Sequence, residues 1–160
     1  MHYIGIDPSF RKGGFAVCVI DEESEACFTI FHGGLLQFIG WVLNDAPDEA
    51  VVAVENSNLQ NITFNMNGTK AEIAKRSRNV GTNQAASEYT YQICKYRYGK
   101  NAHEISPKDK GAKRTHDTIK MLAKSLGHTL TNYKGLEGEQ DKRDAYSLAI
   151  IAMNKKVSDK

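Results

Sequence analysis

The chain has 160 residues, of which 41% are hydrophobic and 25% are charged, and its formal net charge is +2 at pH 7. This length and composition predict one globular domain, over residues 1–160, that can bury a sizeable core. The small net charge does not by itself indicate a nucleic-acid partner, so such a role depends on where lysine and arginine cluster. The widely spaced cysteines favour a reducing cytoplasm, and no apolar run approaches the roughly 20 residues that a membrane span requires.

The first third of the chain predicts four short strands and one helix. The strands are expected at 3–7, 14–20, 26–31 and 50–55, and the helix at 35–44. The first and the fourth strand are apolar and each ends on a carboxylate, Asp7 in one and Glu55 in the other. Because an unpaired buried carboxylate is costly, these acids are expected to have partners.

The rest of the chain alternates helices and loops with one more strand. The segment NSNLQNITFNMNGT, at 56–69, is rich in asparagine, has no regular period and predicts a loop. A basic segment, KAEIAKRSRN, follows it and leads into a predicted helix at 82–98. A strand is expected at 102–105, a basic loop (SPKDKGAKR) at 106–114, and helices at 115–127 and 141–154.

The order of these elements predicts an α/β fold. Three antiparallel strands come first, and alternating helices and strands follow them. We therefore expect a mixed five-stranded sheet, with three antiparallel and then two parallel strands, and helices on both faces.

The last helix, DKRDAYSLAIIAMN, carries two aspartates on its predicted core-facing side. Steps of four residues align Asp141 with Ala145, and Asp144 with Leu148. A single acid in a first helical turn is explained by capping and by the helix dipole. Two acids on the inward face, in a chain with two strand-ending acids, instead favour a carboxylate cluster.

Such a cluster predicts metal-dependent chemistry. Four carboxylates at one edge of a sheet repel one another unless divalent cations lie among them. Ligation by carboxylates alone favours Mg²⁺ or Mn²⁺ over Zn²⁺. Two such ions about 3.5–4 Å apart can activate a water and stabilise the leaving oxygen of a phosphodiester, which points to a nuclease.

Five segments resemble the successive motifs of RuvC-type Holliday junction resolvases, the crossover junction endodeoxyribonucleases. They are IGIDPS, GGFAVCVI, VAVEN, RNVGTNQAAS and DKRDAYSLAI, in the family's order and across nearly the whole chain. The resemblance implies an RNase H-like fold, a homodimer and Mg²⁺-dependent, paired nicking of four-way DNA junctions. From the carboxylate chemistry we expect two Mg²⁺ ions per site, which Mn²⁺ can replace. The residues implied as both catalytic and metal-binding are Asp7, Glu55, Asp141 and Asp144.

The chain departs from the family pattern beside two of these acids. Ser9 stands where many bacterial members have glycine. Asn58 stands three residues after the catalytic glutamate, where many members carry an aromatic wedge. Leu59 and Phe64, in the same loop, are the substitute wedge candidates, and the alternative for each is packing against its own domain.

Two groups of basic residues are candidates for DNA binding. The first group flanks the loop after Glu55 and contains Lys70, Lys75, Arg76 and Arg78. The second group lies in the basic loop and contains Lys108, Lys110, Lys113 and Arg114, which could hold phosphates beside the scissile bond. The alternative for the second group is an ordinary solvated loop.

Two other functions stay open at this point. The chain could be another RNase H-like nuclease that acts on flaps or on RNA in RNA/DNA hybrids. It could also be a nucleic-acid-binding module that has the fold without the activity, although the presence of all four acids argues against this.

Overall fold

The computed structural model describes residues 1–9, 15–59, 67–133 and 140–155. Its strands are His2–Asp7 (β1), Ala16–Ile20 (β2), Glu25–Ile30 (β3), Ala50–Glu55 (β4), Ala102–Ile105 (β5) and Thr129–Thr131 (β6). Its α-helices are Leu35–Asn44 (α1), Lys70–Tyr98 (α2), Pro107–Lys110 (α3), His116–Leu126 (α4) and Gln140–Met153 (α5). Short 3₁₀ turns lie at Ser57–Leu59 and Gly99–Asn101.

The described strands form one mixed sheet in the order β5-β4-β1-β2-β3-β6. Strands β1, β2 and β3 are antiparallel neighbours, whereas β4 and β5 run parallel to β1. The prediction of a mixed α/β sheet is therefore confirmed, but the predicted count of five strands was wrong. The sixth strand, β6, pairs in parallel with β3 through only three residues, which is too short a stretch to show a period in the sequence.

Helices cover both faces of the sheet, as predicted. On one face Ile4, Ile6 and Val52 pack in a core that includes Phe38 of α1 and Cys94 of α2. On the other face the core residues of β2 and β3 pack against Ile119 and Ala123 of α4 and against Ala145, Tyr146 and Ala149 of α5. Within the described ranges, no helix combines the length and the apolar character needed to cross a lipid bilayer.

Helix α2 begins at Lys70, so the predicted start at residue 82 was wrong. A capping box explains the earlier start, because the Thr69 side chain accepts from the Glu72 amide while Glu72 accepts from the Thr69 amide. The residues of α2 that are buried begin only at Ala86. The first half of the helix therefore lacks the apolar stripe on which a sequence-based prediction depends.

Helix α5 lies directly on β1 because β1 has a glycine at the crossing point. A Cβ on Gly5 would lie 2.8 Å from the backbone carbonyl carbon of Leu148, and closer still to Ala145 O and Ala149 N. Only a residue without a side chain lets the two backbones approach this closely. This contact brings the first turn of α5 toward the carboxyl end of β1.

We expect Gly5→Ala to lower the free energy of unfolding by about 3 kcal/mol, or to prevent folding, because the atoms that it meets are backbone and cannot move independently. Gly40→Ala, inside α1, is the matched control, since nothing lies within 4 Å of its added Cβ. The control should be neutral or stabilising by up to about 1 kcal/mol through helix propensity. Urea denaturation of both variants would test this, and equal stability would mean that α5 and β1 can separate without cost.

Candidate active site

Asp7 and Glu55 end two adjacent parallel strands. Ile6 pairs with Val54, so the two acids follow as the next residues of β1 and β4. Side chains alternate along a strand, and Ala53, two residues before Glu55, packs with Leu148 of α5. Asp7 and Glu55 therefore lie on the face that α5 covers, at the edge where the two strands end.

The first turns of α5 bring the other two acids to the same edge. Asp144 is buried, and its Oδ1 accepts a hydrogen bond from Gln140 Nε2 at 2.7 Å. Asp141 is partly exposed, and its charge, like that of Asp144, acts on Asp7. The structure thus brings together the four predicted acids Asp7, Glu55, Asp141 and Asp144, which we call the acid centre.

A lysine from the predicted basic loop lies inside the acid centre. Lys110 is the last residue of α3, and its Nζ forms ion pairs with Glu55 Oε2 and, at 2.9 Å, with Asp144 Oδ2. The sequence SPKDKG builds this turn, because Ser106 caps α3, Pro107 opens it and Gly111 follows its last residue. Since β5 lies next to β4, the chain that leaves β5 reaches the Glu55 carboxylate within one helical turn.

Burial and the charges of the acid centre together shift the pKa values of Asp7 and Lys110. Burial raises the pKa of Asp7 well above its usual range, and the nearby charges of Glu55, Asp144 and Asp141 raise it further, while Lys110 opposes them. For Lys110, burial alone would lower the pKa, but the Asp7 charge and the hydrogen bonds to Asp144 and Glu55 outweigh it, so the pKa is raised. The centre therefore holds Lys110 as an ammonium and disfavours the charged form of Asp7.

The donor chemistry of the acid centre fits Mg²⁺, since its four side chains offer oxygen alone and repel one another. In the described residues, however, no three Asp, Glu, His or Cys side chains are arranged to hold a metal ion. Instead, the Lys110 ammonium lies between two of these carboxylates and pairs with both Glu55 and Asp144. Metal binding by these carboxylates would therefore require Lys110 to turn away.

The residues that follow Glu55 are held in a network of hydrogen bonds. Asn58 donates through Nδ2 to Asn56 Oδ1 and to Gln84 O, both at 2.9 Å, so it is bound back to its own protein. Leu59, by contrast, is 47% exposed. Phe64, the other wedge candidate, lies outside the described residues.

The basic candidates separate into two kinds. Most are exposed, namely Lys70, Lys75, Arg76 and Arg78 on the first half of α2, and Lys108 and Lys113 around α3. Arg114 is partly buried, and its Nη1 has no hydrogen-bond partner among the described residues. Lys110 pairs with Glu55 and Asp144 of the acid centre, so its position differs from that of a solvated loop lysine.

Sequence reasoning missed two residues that support the acids. Gln140 orients Asp144, and its Oε1 is in turn held by the Arg143 guanidinium at 3.0 Å. Asn56 is 1% exposed and follows Glu55 directly. Asn56 could have been found from the sequence, because it is a polar residue directly after the acid that ends a buried strand. Nothing in the sequence distinguishes Gln140 from an ordinary residue at the start of a helix.

Comparison with protein-family models, curated proteins and solved structures found no match to this chain. The inference of function therefore rests on the sequence motifs and on the geometry of the acid centre.

Proposed function

We propose that this chain is a structure-selective endodeoxyribonuclease of the RuvC type, with an RNase H-like fold. In this proposal it resolves four-way DNA junctions by paired, metal-dependent hydrolysis of phosphodiesters. The observation that carries the proposal is the convergence of Asp7, Glu55 and Asp144, from β1, β4 and α5, around one lysine whose side chain is 9% exposed. Carboxylates held this close together repel one another and lower the stability of the fold, so such a cluster is more often found where it has a catalytic task.

The four acids of the centre would hold Mg²⁺, or Mn²⁺ in its place. Bound Mg²⁺ supplies Lewis-acid polarisation of the phosphodiester and an acidified water. The chain's own residues prepare the site: Gln140 fixes one oxygen of Asp144, and Lys110 balances the carboxylate charge. An ammonium at this edge also favours the approach of a phosphate and offsets charge that develops on it.

The exposed basic residues fit DNA that is recognised by shape. Phosphate contacts from lysine and arginine fix the position of a duplex without reading its sequence. The first half of α2 offers four such side chains, and Lys108 and Lys113 offer two more near α3. Two symmetric cuts in one junction need two active sites, so the proposal includes a homodimer.

One observation favours a second candidate, a nucleic-acid-binding module without activity. Lys110 is paired with two of the four acids, and the described residues contain no ready metal group. A lysine that permanently replaced the metal would leave the fold and the basic surfaces intact while preventing hydrolysis. The two candidates therefore differ in whether added Mg²⁺ displaces Lys110.

Incubation of the purified protein with a labelled immobile four-way junction tests the proposal. We expect symmetric nicks with ligatable ends in Mg²⁺ or Mn²⁺, none in EDTA, and none from the Glu55→Gln variant. A flap and an RNA/DNA hybrid serve as competing substrates, and faster cleavage of either would reassign the substrate. Junction binding without any cleavage in either metal would support the inactive module.

A further inference from the structure

Asn56 is a buried polar residue whose hydrogen-bonding groups hold the carboxyl end of β4. Its backbone amide donates to Ile105 O at 2.9 Å, which extends the pairing of β4 with β5 by one residue beyond Glu55. Its side-chain Nδ2 donates to Glu104 Oε2, also at 2.9 Å. Asn56 therefore ties the end of β4 to the end of β5 through both its main chain and its side chain.

The same residue also holds the segment that leaves the acid centre. Asn56 Oδ1 accepts from the Asn58 amide at 3.0 Å, and Asn56 O accepts from the Leu59 amide at 3.1 Å. Asn58 then reaches Gln84 of α2, and Ser57 lies against Ser87 with the two hydroxyl oxygens 3.1 Å apart. A single side chain thus joins β4, β5 and the turn that rests on α2.

We infer that Asn56 is a positioning residue that sets the distance between Glu55 and Lys110. Glu55 precedes Asn56 on β4, and Lys110 follows β5 by one short helix, so the β4–β5 tie fixes both. Residues that orient ligands without touching the reacting atoms commonly change metal affinity or activity by about 10- to 100-fold when they are replaced. The expected effect on cleavage rests on the proposed function, whereas the expected effect on Mn²⁺ binding requires only that the acid centre binds a metal ion.

The test exchanges the amide of Asn56 and the carboxylate of Glu104 between the two positions. Asn56→Asp loses the Nδ2 donor and sets a carboxylate against Glu104. Adding Glu104→Gln restores a hydrogen bond in the reverse direction, because the new amide can donate to the new carboxylate, and it leaves the net charge of the pair unchanged. Ser57→Ala is the matched control, since it removes the contact with Ser87 in the same turn but leaves the tie to β5.

Two readouts are needed, namely Mn²⁺ binding to the DNA-free protein by titration calorimetry, and cleavage rate against junction concentration in Mg²⁺. We expect Asn56→Asp to weaken Mn²⁺ binding and to lower kcat by about 10-fold or more, with little change in KM. The double variant should recover most of both losses, and Ser57→Ala should resemble the parent. Melting curves would establish that each variant is folded.

The outcomes separate the two proposals. If folded Asn56→Asp binds Mn²⁺ as the parent does, or if the double variant recovers nothing, Asn56 does not position the acid centre. If the parent binds Mn²⁺ and the exchange rescues that binding, but no branched DNA is cut, the role of Asn56 stands and the proposed function fails. If the parent binds no Mn²⁺, the inference is overturned.

Discussion

Asp7→Asn should abolish junction cleavage and, in EDTA, should raise the melting temperature above that of the parent. The loss of cleavage follows from removing one of the four proposed metal ligands while keeping the shape of the side chain. The gain in stability follows from the pKa of Asp7, which lies above its usual range because the site disfavours the charged form. Relief of about 1 kcal/mol would raise the melting temperature of a domain of this size by roughly 2–4 °C.

The gain should depend on pH in a defined direction. A carboxyl whose pKa is raised by folding contributes stability that is complete below its unfolded value, about 3.9, and is lost as the pH rises through the folded value. The parent therefore loses stability over this window, and the asparagine variant does not. The difference in melting temperature between them should be small near pH 4 and larger at pH 7, as thermal scans across this range would measure.

Asp144→Asn should lower the melting temperature in EDTA, whereas Asp7→Asn should raise it, although both acids belong to the same proposed site. Asp144 pairs with Lys110 at 2.9 Å and accepts from Gln140, and an asparagine would lose the ion pair. Among the described residues, none donates a hydrogen bond to the Asp7 carboxylate. If the two variants shift the melting temperature in the same direction, the pairing of Asp144 with Lys110 does not stabilise the metal-free protein.

The sequence predicted the strands that carry the acids because those strands are continuous apolar runs. Strand β4 is buried along nearly its whole length, so its composition and its final glutamate were visible without a partner strand. Helix α5 was also predictable from a local pattern, because residues at helical spacing, such as Leu148 and Ala152, form its buried side. These elements are specified by local pattern, and they position Asp7, Glu55 and Asp144.

The features that the sequence did not predict depend on weak or distant signals. Strand β6 exists because three residues can pair with β3, which is a tertiary contact rather than a local preference. The start of α2 did have a local signal, the Thr69 to Glu72 capping box, but it lies in a segment without an apolar period. The role of Lys110 had none, because its partners Glu55 and Asp144 are distant in the chain and meet only in the folded sheet.

Lys110→Met should destabilise the metal-free protein by about 3 kcal/mol at neutral pH, because breaking a buried ion pair from one side leaves unpaired charge. The Lys110 side chain is 9% exposed, and its partners Asp144 and Glu55 are 9% and 16% exposed, so solvent screens the loss only weakly. Methionine keeps much of the length and the apolar contacts of lysine. Urea denaturation in EDTA at pH 7.5 would measure the difference.

The pH dependence of this loss follows from two pKa shifts. The pKa of Lys110 is raised, so the stability from its pairing is complete below the unfolded value of about 10.4 and is lost only as the pH rises through the higher folded value. The difference from the parent should therefore persist throughout pH 7–9. Toward acid pH it should shrink, because Asp7, whose pKa is already raised, takes up a proton and relieves the repulsion that the missing ammonium leaves.

Added Mg²⁺ should stabilise Lys110→Met more than it stabilises the parent. In the parent, Mg²⁺ must displace an ammonium that already pairs with Glu55 and Asp144, whereas in the variant those carboxylates are free to bind it. A ligand that binds only the folded state raises stability in proportion to the logarithm of its concentration over its dissociation constant, so tighter binding gives a larger shift. Lys108→Met, on the exposed side of the same helix, is the control and should behave as the parent. Lys110→Met could instead have the same melting temperature as the parent in EDTA, with equal increases for both proteins in Mg²⁺. Lys110 would then not be the counter-charge of the acid centre, and Mg²⁺ would not need to displace it for cleavage.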